Sequence, residues 1–90
     1  MFINDFIWDY DNIEHISRHQ VQDYEVEEVI LFDKPLFLKG KEEKYYAYGV
    51  TAAGRYLFIV FAVRGDGLIR VITARNMAFK ERRFYKKKRE

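Results

Sequence analysis

Apolar and polar residues along the chain change period after Pro35, which sets a mainly helical stretch before a mainly strand-forming one. Phe2–Trp8 (FINDFIW) opens with apolar residues at 2, 3, 6, 7 and 8, an imperfect fit to a short strand. Asp11, with Glu14 three residues on, resembles a capping box, and predicts a helix running to about His19 with Ile13 and Ile16 facing inward. A second helix is expected over Val21–Asp33. Asp23 can cap it, Glu25, Glu27 and Glu28 suit its positive end, and Val26, Val29 and Ile30 form its apolar stripe. Lys34-Pro35 ends it, because the residue before proline is pushed out of the helical region. Only Gln20-Val21-Gln22 separates the two helices, so they should form a tight pair.

After Pro35 the period falls to two. Leu36–Lys39, Lys44–Val50, Tyr56–Val63 and Leu68–Arg75 are divided by KGKEE, TAAGR and RGDG, all turn-like. Connections this short force antiparallel hairpins, since a parallel crossover needs a dozen or more residues. Tyr56–Val63 is apolar on both faces and should lie in the middle of the sheet, covered on both sides. Asn76 can cap a last helix from Met77 to about Lys88. The expectation is one α+β domain over residues 1–90, ordered β-α-α-β-β-β-β-α, with helices packed on a mostly antiparallel sheet. Residues 86–90 (KKKRE) are expected to be a frayed basic tail.

Composition changes this picture in three ways. Ninety residues is close to the lower limit for a self-sufficient core, and the 18% aromatic content compensates with large buried areas. The absence of cysteine excludes disulfides and cysteine-based zinc sites. The N-terminus MFINDFIWDYD carries an acid where a signal peptide needs a basic region, and no apolar run approaches a membrane span, so a soluble cytoplasmic protein is expected. Charge then separates the two stretches. Residues 1–43 hold four Lys or Arg against eleven Asp or Glu, and residues 44–90 hold twelve against three, within a net charge of +2. Such a split can present a basic surface to a polyanion, or the halves can neutralise each other inside one domain.

Three groups of residues can carry chemistry. His15 and His19 lie one turn apart on the first helix, with Asp11 a turn earlier. That spacing suits two metal ligands without a recognisable third, general acid/base work, or simply a half-exposed polar face. In the last strand, alternation places Arg70 and Arg75 on opposite faces unless a bulge shifts the register. Each arginine can pair with an acid of the first half or hold a phosphate bidentately, with Arg70 leaning to the former and Arg75 to the latter. On the last helix Glu81, Arg82 and Tyr85 are neighbours at i, i+3 and i, i+4 spacing, and Lys80, Arg83, Lys86 and Lys87 can contact phosphates without reading sequence. The bland alternative is a solvated amphipathic helix with Phe79 or Phe84 packed inward. No Gly-rich phosphate loop, Ser-His-Asp ordering or carboxylate cluster suited to magnesium is present.

Taken together, these residues resemble the BrnT family of toxins. The resemblance rests on Phe6-Ile7-Trp8-Asp9, Asn12, Ile13-Glu14-His15-Ile16-Ser17-Arg18-His19 and Val26-Glu27-Glu28-Val29, followed by Gly49, Gly54-Arg55 and the apolar strand at 57–63. It continues through Arg64-Gly65, Ile69-Arg70-Val71-Ile72-Thr73-Ala74-Arg75, Glu81-Arg82 and Tyr85. It implies a RelE-like fold and a ribonuclease that blocks translation as the toxin half of a bacterial type II toxin–antitoxin pair, neutralised by a BrnA-type antitoxin. It also implies that His19, Arg75, Glu81, Arg82 and Tyr85 form the catalytic set. His19 and Glu81 would act as acid and base, Arg75 and Arg82 would stabilise charge and Tyr85 would position. Neither metal nor cofactor is implied, and DNA would be reached only through the antitoxin. One departure is Gln20, which stands where the family usually has glycine. The competing expectation is a non-catalytic module that binds a partner and nucleic acid through the same basic helix.

Overall fold

Residues 1–89 are described by a computed structural model. The elements are β1 (Asp5–Ile7), α1 (Tyr10–Ser17), α2 (Asp23–Phe32), β2 (Leu36–Lys39), β3 (Lys44–Val50), β4 (Tyr56–Gly65), β5 (Leu68–Asn76) and α3 (Phe79–Arg89). This is the expected α+β order. The five strands form one sheet ordered β1-β5-β4-β3-β2, in which β2 to β5 pair antiparallel and β1 joins the outer edge of β5 in parallel. The short turns dictate the antiparallel part. The parallel pair is possible because both helices intervene between β1 and the rest of the sheet.

As its two apolar faces predict, β4 sits centrally. Leu57, Ile59 and Phe61 join Ile16, Val21, Val26, Val29, Ala47, Ile69, Val71 and Ala74 in the core under α1 and α2. Phe58 faces the other way, in a smaller cluster with Tyr48, Met77 and Tyr85, where α3 covers part of the sheet. Among the described residues, no helix is long and apolar enough to cross a membrane.

Several boundaries differ from expectation, each for a local reason. Asp9, not Asp11, caps α1. Its backbone is extended, its carboxylate accepts the Asn12 N–H at 3.1 Å, and the Asn12 side chain accepts the Asp9 N–H at 2.9 Å. Glu14 is released to pair with Arg18 one turn on. The helix therefore starts early and ends at Ser17, and its buried face is Asn12 and Ile16, while Ile13 is 40% exposed. Gln22 with Glu25, rather than Asp23, caps α2. At the far end β5 takes up Asn76, and α3 begins two residues later than expected, with the Glu81 carboxylate accepting the Ala78 N–H at 2.7 Å. The run Lys86–Arg89, expected to fray, continues the helix, and Arg89 donates to the Lys34 carbonyl at 2.6 Å. Glu90 lies outside the described residues.

The register of β5 brings the main correction. Phe61 pairs with Val71 but Val60 pairs with Thr73, so Ile72 is bulged out of the ladder. The bulge inverts alternation: Ile69, Val71 and Ala74 all enter the same core. Arg70 and Arg75 are thereby turned to the same face of the sheet, rather than to opposite faces.

Candidate functional site

Arg75 and Glu81 form the best-defined polar pair. The strand end delivers the guanidinium and the first turn of α3 delivers the carboxylate. They meet in a two-pronged bridge, Nη1 to Oε1 at 2.7 Å and Nη2 to Oε2 at 2.9 Å. The guanidinium stacks 4.6 Å above the Phe58 ring and also donates to the Asn76 carbonyl at 3.1 Å. The hydrogen bond from Arg75 holds the Glu81 carboxyl below its ordinary value, against desolvation and with help from the Ala78 N–H. Burial, then the Glu81 charge, pushes the nearby Tyr48 hydroxyl upward. Both Glu81 oxygens are occupied and the group favours ionisation, so in this arrangement it orients Arg75.

The other sequence-chosen residues of α3 divide by helical stripe. Arg82 is exposed, with its guanidinium 4.0 Å above the ring of Tyr56, and Lys86 reaches the same ring at 5.4 Å. Tyr85 points inward, only 6% exposed, edge-on to Tyr56 at 6.0 Å; burial raises its hydroxyl. It anchors α3 and makes no hydrogen bond to Glu81. Lys80, Arg83 and Lys87 line a separate shallow groove with Phe84. Lys86 therefore belongs with Arg82, and the four proposed phosphate contacts are split over two sides of the helix.

His19 stands apart from this pair, in the turn that follows α1. Because β1 pairs only with residues 68–70, the outer edge of β5 beyond Arg70 is free of strand partners, and α1 lies along it. Three rungs set the alignment. The Asn12 amide donates to the Val71 carbonyl at 3.1 Å, His15 Nε2 meets Thr73 Oγ1 at 3.0 Å, and Arg55 bridges the Gln20 carbonyl (2.7 Å) to Asn76 Oδ1 (2.9 Å). His19 lies in the chain between the second and third rungs, and its ring meets His15 edge-on at 5.6 Å. No direct bond joins His19 to Arg75 or Glu81. Arg70 is held by Asp9 in an ion pair and braces the start of α1. Among the described residues, no three His, Asp or Glu side chains are grouped closely enough to hold a metal ion.

Sequence reasoning missed three contributors. Tyr56 and Phe58 are the aromatic floor under the arginines, hidden in an apolar run whose faces depend on the sheet. Arg55 is the brace, donating also to the 7%-exposed Glu25 at 2.9 Å and 3.1 Å. Its only signal was a place beside Gly54.

The family model described as "Ribonuclease toxin, BrnT, of type II toxin-antitoxin system" matches residues 8–81. The chain belongs to this BrnT family. The match takes in both histidines, Arg75 and Glu81, and stops before Arg82 and Tyr85. Membership of a type II toxin–antitoxin family carries with it an antitoxin partner. No curated protein matches the chain in sequence.

Proposed function

We propose that this BrnT chain is a RelE-like toxin that cleaves RNA without a metal ion and so blocks translation in the cytoplasm. In this reading a BrnA-type antitoxin silences it by covering the arginine-bearing face, and DNA is met only through that antitoxin. The observation that carries the proposal is the cationic surface with an aromatic floor: Arg75 over Phe58, Arg82 over Tyr56, and a histidine-bearing helix alongside.

RNA supplies its own nucleophile, the 2′-hydroxyl, so cleavage needs a base, an acid and a cation on the phosphate. Arg75 and Arg82 stabilise the charge that grows on the phosphate oxygens. Glu81 keeps the Arg75 fork aimed. His19 transfers a proton. Tyr85 fixes α3 by burial, and Lys80, Arg83, Lys86 and Lys87 hold flanking phosphates.

The test is purified protein on labelled RNA in the presence of EDTA, with Arg75→Ala alongside. Cleavage by the native chain and a loss of at least about a hundredfold in the variant are expected, as for removal of one charge-stabilising donor. Intact RNA together with tight antitoxin binding would instead establish the interaction module, which the basic α3 serves equally well.

A further inference from the structure

We infer that His15 is the second proton-transfer group of this site, working with His19 across the scissile phosphate. The inference rests on the ribonuclease reading and completes it. In-line cleavage moves two protons, one off the 2′-oxygen and one onto the leaving 5′-oxygen, at opposite sides of phosphorus. Both Glu81 oxygens are tied into the Arg75 fork, which lowers the carboxyl's affinity for a proton and makes it a poor base, so His19 alone leaves one transfer without a group.

His15 is exposed, its ring is oriented by Thr73 Oγ1 at 3.0 Å, and it lies edge-on to His19 with 5.6 Å between ring centres. Two imidazoles at that separation can serve two different oxygens of one phosphate. His15 also opens onto a cleft of about 350 Å³ along the free edge of β5, lined by Asp11, Arg70 and Thr73 among others. Charged groups beside His15 include Asp11 and Glu14 on α1, Arg18 at its C-terminal cap and Arg70 on β5. Glu14 and Arg18 neutralise each other, and Arg70 is bridged to Asp9. The step balances without any further reagent. One neutral imidazole takes the 2′-hydroxyl proton as the O2′–P bond forms. The other, protonated, gives its proton to the 5′-oxygen as the P–O5′ bond breaks, leaving a 2′,3′-cyclic phosphate and a 5′-hydroxyl. Thr73 acts through His15 as a positioning residue.

The experiment compares kcat/KM against pH for the native protein, His15→Gln, His19→Gln and Thr73→Val, on RNA and on uridine 3′-(4-nitrophenyl phosphate), whose leaving group needs no proton. On RNA the native profile should be bell-shaped. Each histidine variant should fall at least about a hundredfold and lose a different limb of the bell. The activated substrate should restore only the variant lacking the acid. Thr73→Val should lower kcat with KM little changed and shift the His15 ring resonances, a readout that a purely structural bond to an exposed helix would not link to rate. A His15→Gln protein with native rate and an unchanged bell overturns the inference while leaving the ribonuclease reading intact. A native protein that cuts neither substrate overturns both.

Discussion

At the residue scale, the Arg75–Glu81 bridge carries a pH signature. The Glu81 carboxyl is held below its ordinary value of 4.5 in the fold, chiefly by the Arg75 hydrogen bond. A depressed carboxyl contributes stability that is present above the unfolded value and is lost as pH falls through the folded one. Native protein should therefore lose thermal stability below about pH 4.5 more steeply than Glu81→Gln. Asp9 is depressed in the same direction by Arg70, but it is common to both proteins and cancels in the comparison. Parallel acid titrations of Tm would sink the bridge as a stabilising element.

Gln20 makes a second residue-scale case. Its φ of 58° lies in the left-handed region, where a Cβ is penalised. Glycine, the residue expected there from the family, would relieve that strain at some cost in unfolded-state entropy. Gln20→Gly should stabilise the fold by about 0.5–1 kcal/mol, measured by urea denaturation. The Arg55 rung should survive, because it uses the Gln20 carbonyl rather than its side chain. The departure at this position was legible in the sequence. Its mechanical meaning was not, since a backbone dihedral leaves no mark on residue type.

At the scale of elements, the approach of α2 to the sheet depends on one missing side chain. A Cβ at Gly49 would sit 2.6 Å from Val29 Cγ1 and 2.8 Å from Asp33 Oδ2, closer than atoms can pack. The same Asp33 oxygen accepts the Val50 N–H at 2.8 Å, so helix and strand are also stitched there. Gly49→Ala should destabilise by about 1–3 kcal/mol, seen as a lower urea midpoint with an unchanged slope. A midpoint equal to that of the native protein would mean that α2 can move aside freely. Elements were also where prediction from sequence worked best. The helices and strands follow from periods of 3.6 and 2, which local composition sets. Their ends slipped by one to a few residues because capping is a competition between neighbouring polar residues. Asp9 won over Asp11 because the chain leaves β1 extended at that point.

At the scale of the whole molecule, charge is the property that function would use. The two halves of the chain neutralise each other only in part: Arg55–Glu25 and Arg70–Asp9 join them, whereas Lys80, Arg83 and Lys87 share an open stripe of α3. RNA binding should therefore weaken steeply with salt. Replacing these three cations by alanine should make the slope of log K against log salt shallower by about 2, at about 0.7 per phosphate contact on a single strand. An unchanged slope in a salt series would place the RNA elsewhere on the molecule.

By itself, the sequence determined the order of elements, the antiparallel hairpins, the central place of β4 and the segregation of charge. Each of these follows from local periodicity, turn length and residue type. The resemblance to the BrnT family, rather than any pattern of spacing, offered His19, Arg75, Glu81, Arg82 and Tyr85 as a set. Only the tertiary structure decided which of them meet. A single bulged residue, Ile72, turned Arg75 onto the face where Phe58 and Glu81 wait. The free edge of β5 let α1 run alongside and bring His15 to Thr73. Burial then separated Tyr85 from the residues it neighbours in sequence. Register, edges and burial are properties of contacts between distant segments, and no window along the chain contains them.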